Sequence, residues 1–261
     1  SRPAVLAQGV RYLRDLRNAD GVTIRSGITP VAIAGSDRVT GVRYLTRNGA
    51  ECHERCDAVG LGYHLRAETQ LADLAKVPFR YDHAARQYLP ECDPHGRTPV
   101  TGIYLAGDGA QLAGADGAEA MGRLAAWAAL ADKGVHVDDG RVRAALAANA
   151  KARRFRDGIM KAFPWPGERL ASDIPDATLV CRCEAITAGT LRHAARELGA
   201  TEVNRAKALS RLGMGRCQGR YCGLAGAEIV AAALGIPVEQ VGRLRAQAPI
   251  KPLAANVRTT P

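Results

Sequence analysis

Apolar residues first recur at helical spacing. Leu6, Val10 and Leu13 fall on one face of residues 3–18, with Arg11, Arg14 and Arg17 elsewhere, which predicts an amphipathic helix ended by Asn18-Ala-Asp-Gly21. The pattern then shifts to short apolar runs at 22–24, 31–34, 39–46 and 51–60, a β-meander punctuated by Gly35-Ser-Asp37 and by Asn48-Gly49. Asn48-Gly49 suits a tight hairpin because both central residues tolerate positive φ. Gly60-x-Gly62 is a strand-end turn, since no third glycine follows it into a helix. A helix at 71–75 and a turn-rich stretch at 91–98 come next. An apolar strand at 103–106 then delivers Gly107 and Asp108, ahead of a helix over 118–130. A long Ala/Arg/Lys-rich helix, 141–163, runs into Phe163-Pro-Trp-Pro-Gly167, where two prolines stop it and mark a domain boundary. Beyond it, Thr187 caps a helix over 188–198 closed by Gly199. Further helices follow at 202–209 and 221–234, and a proline-containing stretch at 246–253 lies as an extended strap.

Apolar residues make up 47% of the chain, enough for a sizeable core, but aromatics are only 5%, so Ala, Leu and Val must fill it. No run is long and apolar enough to span a membrane. The net charge of +10 comes with neither a basic stripe nor aromatic platforms, which excludes a nucleic-acid binder and leaves a basic face for an acidic protein or an anionic cofactor. Seven cysteines, an odd number, in a chain of 261 residues argue against a disulfide-stapled scaffold and for reduced thiols in the cytoplasm, with peripheral membrane association left open. The first residue is Ser1 and no leader pattern follows, as expected of a processed or partial chain.

Chemistry concentrates between residues 180 and 222. Val180-Cys181-Arg182-Cys183-Glu184 opens the stretch and Gly213-Met214-Gly215-Arg216-Cys217-Gln218-Gly219-Arg220-Tyr221-Cys222 closes it, so four thiols occur as C-x-C, 33 residues, then C-x4-C. Three chemistries use such a set: a tetrahedral zinc site, an iron–sulfur cluster, or two disulfides. Zinc knuckles usually carry C-x2-C pairs, and these gaps are one and four. A [2Fe–2S] rhombus needs two thiolates on each of two irons, which suits unequal pairs on separate loops. Gly213, Gly215 and Gly219 let backbone N–H groups approach bridging sulfides. Arg182, Arg211, Arg216 and Arg220 would offset the net charge of about −2 on such a thiolate-ligated core and favour its reduced state. A second signal is the Gly107-Asp108 turn at a strand's carboxyl end. The small residues after it let backbone approach a ligand, and the following helix offers its amino end to negative charge. Doubly wound sheets bind cofactors at such a place.

Val180-Cys-Arg-Cys-Glu184 with Ser210-Arg-x-Gly-Met-Gly-x-Cys-Gln-Gly-Arg-Tyr-Cys222 resembles the bacterioferritin-associated-ferredoxin-like [2Fe–2S] domain. In particular it is similar to the form fused to the FAD subunits of opine (octopine/nopaline) oxidases, dye-linked proline dehydrogenases and hydrogen cyanide synthase. The resemblance implies an α/β fold class: a partial two-dinucleotide-binding (FAD/NAD-type) flavoprotein fold followed by a small, mostly helical [2Fe–2S]-binding domain. It divides the chain into the end of an inserted NAD-type domain (1–62), the later part of an FAD-binding domain with its following helices (63–163), a linker (164–177), the cluster domain (178–236) and a tail (237–261). It implies Cys181, Cys183, Cys217 and Cys222 as cluster ligands. It also implies Gly107 and Asp108 at the pyrophosphate–ribityl part of FAD, with the helix after Gly114 aimed at the flavin ring.

Such subunits open with a strand–GxGxxG–helix that grips the FAD pyrophosphate. This chain carries neither that turn nor the glycine turn of the inserted domain, so it is expected to be the C-terminal part of a longer protein, and NAD(P) is a possible ligand with no motif here to hold it. The expected activity is electron transfer between FAD and [2Fe–2S] during oxidation of a small amine, amino acid or opine, with a second flavoprotein subunit for partner. The alternative is a non-enzymatic four-thiolate docking module, zinc or [2Fe–2S], on a vestigial flavin fold. No residue is assigned as a catalytic base. Cys52 and Cys56 lie about 13 Å apart along a strand, too far for a disulfide, and are expected to be ordinary residues, as is Cys92. His64, His83, His95, His136 and His193 have no partner at a telling spacing.

Overall fold

The amphipathic pattern at the start of the chain does form a helix, α1 (Pro3–Arg17), with Arg14 and Arg17 in its last turn, where positive charge suits the helix dipole. The computed structural model describes residues 3–62, 65–165 and 167–250, the side chains of 167–169 excepted. His64 and the end of the expected strap, 251–253, lie outside the described residues. The chain divides after residue 64 into two units.

In the first unit α1 buries none of its residues. A three-stranded antiparallel meander follows: β1 (Thr29–Ala34), β2 (Gly41–Leu45) and β3 (Glu51–Arg55). The expected strand at 22–24 does not form; Val22 and Ile24 are exposed and pair with no described strand. The run expected to continue to residue 60 ends at Arg55 because its partner β2 begins opposite it, at Gly41. The hairpin at Asn48-Gly49 is wider than expected. Only Gly49 takes positive φ (84°), and its N–H closes a turn on the Thr46 carbonyl at 2.9 Å before the strands resume. Gly41 has no substitute, since a Cβ there would sit 2.6 Å from the Glu54 carbonyl oxygen.

The second unit starts with a short helix α2 (Gln70–Leu74) and a hairpin, β4 (Phe79–Asp82) with β5 (Gln87–Pro90). The expected strand at 103–106 is reduced to one bridge, Tyr104 opposite Arg97, because no described strand lies beside it to extend the ladder. It still delivers Gly107, Asp108 and Gly109 into a single 3₁₀ turn. Helix α3 (Gly114–Ala131) begins four residues earlier than expected and packs along α4 (Asp139–Ala162). With few aromatics available, the two helices meet through small side chains: Gly117, Ala120, Ala125 and Ala128 against Ala145 and Ala152, with Leu124 fully buried. Gly117 permits this, since a Cβ there would lie 3.1 Å from that of Ala152.

The stretch expected to be linker contains a helix, α5 (Gly167–Asp173), which packs against a later helix in the chain. Next come a two-stranded ribbon, β6 (Leu179–Cys181) with β7 (Ile186–Thr187), and helices α6 (Ala188–Arg196), α7 (Val203–Ser210), α8 (Cys222–Leu234) and α9 (Val238–Val241). α8 is apolar nearly all round because α5, α6, α7, α9 and β6 surround it. Leu191, Val203, Leu212, Ile229, Val230 and Val241 are completely buried about it. Gly235, at φ 68°, ends the helix with the paired carbonyl contacts of a Schellman turn, Gly235 N–H to Ala232 and Ile236 N–H to Ala231.

Candidate metal centre and flavin-side turn

The β6–β7 ribbon sets the first two thiols. Cys181 ends β6 opposite Ile186 and points into the core, 1% exposed, whereas Cys183 lies in the ribbon's turn and is exposed. The turn closes through Ala185 at φ 54°, and Thr187 then caps α6 by accepting from the Thr190 N–H. The second two thiols come from the loop between α7 and α8. α7 ends in a left-handed Arg211 (φ 68°), and a chain of tight turns follows: Met214 N–H to Arg211, Gln218 N–H to Gly215, Arg220 N–H to Cys217. Cys217 lies in that loop, half-buried, and Cys222 is the first residue of α8, 2% exposed. Five non-glycine residues take positive φ among the described residues, and three of them, Ala185, Arg211 and Gln218, belong to these two loops. Backbone strain of that kind persists only where the surroundings impose it.

The thiols come together as two pairs. Cys183 lies beside Cys217 and Cys181 beside Cys222, each close enough to act on its neighbour's proton. Among the described residues, no group of three or more His, Cys, Asp or Glu side chains converges on one point. A [2Fe–2S] rhombus takes two thiolates on each of two irons, and a tetrahedral zinc ion takes four donors at one point. The pairs differ in surroundings. Burial pushes Cys222 up to about 12, and the neighbouring Cys181 adds to the rise. Burial acts on Cys217 too, but the N–H groups of Tyr221, Gly219 and Arg220 aim at its sulfur and bring it below its ordinary value. Glycine makes the nest possible. A Cβ on Gly215 would lie 2.2 Å from that of Cys183, and one on Gly213 or Gly219 would strike Leu244, at 2.7 and 2.8 Å.

The four arginines do not act alike. Arg211 is bound to Glu184 at 2.8 Å and Arg220 to Glu68, so each already faces a carboxylate, while Arg182 and Arg216 are exposed. Arg220 also donates to the Cys217 carbonyl at 3.1 Å, holding the loop's own backbone.

Of the residues expected to meet a flavin, Gly107 (φ 58°) and Asp108 lie in the 3₁₀ turn and Gly114 (φ 74°) opens α3; Asp108 and Gly114 are exposed. The turn adjoins the thiol loop through residues that sequence reasoning missed. The Glu68 carbonyl lies 3.8 Å from the place a Gly109 Cβ would take, and the Glu68 carboxylate holds Arg220. Gln70 donates to the Gln218 carbonyl at 2.7 Å, Asp73 grips Arg243 at 2.7 Å and accepts from the Ala246 N–H, and Arg243 stacks on Phe79 at 3.8 Å. The hydrogen bonds of Gln70 and Asp73 join residues 148–173 positions apart, which no local spacing could announce. Of the remaining cysteines, Cys52 faces Tyr44 across the sheet, and Cys52, Cys56 and Cys92 form no disulfide.

A small helical domain with two thiol pairs, attached to a flavoprotein-type α/β fragment, is the class these features define. Residues 179–232 match the family model of the BFD-like [2Fe-2S] binding domain. The chain is 36% identical over 255 residues to an opine oxidase subunit of Rhizobium meliloti, covering 97% of this chain and 48% of that protein. It is 29% identical to hydrogen cyanide synthase subunit HcnB of Pseudomonas aeruginosa, over 97% of this chain and 55% of that one. The crystal structure of L-proline dehydrogenase from P. horikoshii shares the fold, with a TM-score of 0.62 at 21% identity over 87% of this chain and 43% of that chain. The chain spans about half the length of the curated relatives it matches. Among the described residues no helix is long and apolar enough to cross a membrane.

Proposed function

We propose that this chain is the electron-transferring part of an FAD-dependent oxidoreductase subunit, in which a [2Fe–2S] centre exchanges electrons with a flavin. The observation that carries the reading is the pairing of the thiols beside a three-amide nest, joined through Glu68 and Arg220 to the Gly107-Asp108 turn. Cys181 with Cys222 would hold one iron and Cys183 with Cys217 the other. A flavin handles electron pairs and a [2Fe–2S] centre single electrons, so together they divide a two-electron oxidation. The chain's own residues position and insulate. α8 and the β6–β7 ribbon keep water from the inner thiols, and the Gly219–Tyr221 amides stabilise negative charge on the outer sulfur. Gly107 and Asp108 would meet the pyrophosphate–ribityl part of FAD and the start of α3 at Gly114 its ring, together with the rest of the longer protein. The similarity to opine oxidase subunits supports an amine, amino-acid or opine-type substrate and a second flavoprotein subunit for partner, and cysteines joined by no disulfide suit a reducing, cytoplasmic setting.

Iron and acid-labile sulfide analysis of the protein reconstituted without oxygen tests the reading. Equimolar iron and sulfide are expected, and zinc without sulfide would overturn it. Cys217→Ser is expected to bleach the cluster absorption while leaving any flavin band; bands that persist would refute the ligand set.

A further inference from the structure

A cavity of about 310 Å³ lies between the flavin-side hairpin and the thiol loop. Its floor is apolar: Leu224 and Ala227 of α8, with Val238 and Leu244. Its rim is charged, and most of that charge is matched, since Glu68 holds Arg220 and Asp73 holds Arg243. Arg66 is the exception. It makes no hydrogen bond to a described residue, and Glu228 is the carboxylate whose charge reaches it. Glu228 is itself occupied, accepting from Trp165 at 2.8 Å and facing Arg86 at 3.9 Å. Arg66 is open to solvent and yet crowded by protein, as a side chain in a concave wall must be. The crowding pushes its guanidinium below the ordinary value, with partial relief from Glu228. Beside it the Tyr81 ring is fixed edge-on by His83 and Tyr88, and its hydroxyl donates to no described residue.

We infer that this cavity binds a small carboxylate with an aliphatic body, Arg66 taking the carboxylate with help from the Tyr81 hydroxyl while the apolar floor receives the chain. A concavity of this size that joins an apolar patch to convergent polar groups is a usual form of a small-molecule site, and a planar guanidinium is the group best shaped to fork onto a carboxylate. The site goes beyond the redox reading and does not need turnover. It also has a built-in reporter, because Gln218–Tyr221 form part of its wall and the Gly219, Arg220 and Tyr221 amides point at Cys217.

Titration calorimetry on the cluster-loaded protein, with the straight-chain acids from propionate to hexanoate and their amides as probes, tests this. The acids are expected to bind at least tenfold more tightly than the amides. Affinity should rise about fourfold per methylene until the cavity is full, and saturation should shift the visible circular dichroism of the cluster. Arg66→Gln is expected to bring acid binding down to the level of the amides without changing cluster absorption, and Tyr81→Phe to weaken it several-fold. Equal binding of acid and amide, no binding of either by protein with intact cluster bands, or full acid affinity in Arg66→Gln would overturn the inference. Because the readout is binding, a protein that binds carboxylates and oxidises nothing would sink the catalytic reading and leave this one standing.

Discussion

Gly215 shows how much of the metal centre depends on an absent atom. Its hydrogen faces Cys183, and a methyl group there would lie 2.2 Å from the Cys183 Cβ. Gly215→Ala is therefore expected to displace the outer thiol pair and lower the iron and sulfide bound per chain by more than half. Gly158→Ala, with nothing within 4 Å, should leave the content unchanged. Asp132 makes a different case. The Arg97 guanidinium, with help from the Tyr104 hydroxyl, holds its carboxyl down at about 2, from an ordinary 3.8. A depressed folded value means that the unfolded chain takes up the proton first. The contribution is complete above pH 3.8 and is lost as pH falls toward about 2. Asp132→Asn should thus unfold at lower urea concentration than the parent at neutral pH, with the gap closing as pH falls through that window; a gap independent of pH would refute the assignment. The pair is well exposed, so the gap should be small.

Helices differ in what they lean on. Every residue of α1 is exposed, and an isolated helix of 15 residues is marginal in water, whereas α8 sits in the core with Ile229 and Val230 completely buried. Hydrogen exchange should therefore run to completion in α1 within the shortest labelling times and stay slow in α8; protection in α1 comparable to α8 would show a partner for its apolar face. α4 begins at Asp138, whose side chain accepts from the Arg141 N–H at 2.7 Å, and Asp138→Ala should cost about 1 kcal/mol in chemical denaturation. Local signals of this kind were legible in the residues. The Thr187 cap, the Gly235 stop, the prolines after residue 163 and the spacing of the four thiols each act within one turn or loop. What stayed hidden depends on distant partners. The apolar run at 103–106 has the composition of a strand but finds only Arg97 beside it, and 22–24 finds nothing. α5, seven residues between prolines and an acidic turn, exists because α8 offers it a surface. The split of the thiols into a buried and an outer pair was likewise invisible, since it depends on the left-handed turns at Ala185 and Gln218.

At the scale of the whole second unit, the β4–β5 hairpin region and the thiol-bearing helices are held together by a seam rather than by a shared core. The apolar cluster around α8 includes no residue before Ala171, so the thiol-bearing helices are buried against one another, not against the flavin-side hairpin. What crosses is mainly polar: Glu68 to Arg220, Gln70 to Gln218, Tyr88 to the Glu239 carbonyl, and above all Asp73. Asp73 satisfies two donors from the far side, the Arg243 guanidinium and the Ala246 N–H, and Arg243 is also stacked on Phe79. Removing a carboxylate that satisfies a guanidinium and an amide leaves both exposed to desolvation without return, a loss of about 2 kcal/mol. That loss falls on the seam and on neither core. Asp73→Ala should therefore keep full cluster absorption and normal iron content, yet turn a single calorimetric unfolding transition into two, the hairpin side melting first. In the FAD-loaded full-length protein it should also slow electron transfer from flavin to cluster, because Glu68 and the Gly107–Gly109 turn would no longer be held beside the thiol loop. A single transition with an unchanged transfer rate would mean that the seam is set by the Glu68–Arg220 pair alone, and loss of the cluster would mean that the helical domain needs the flavin side to fold.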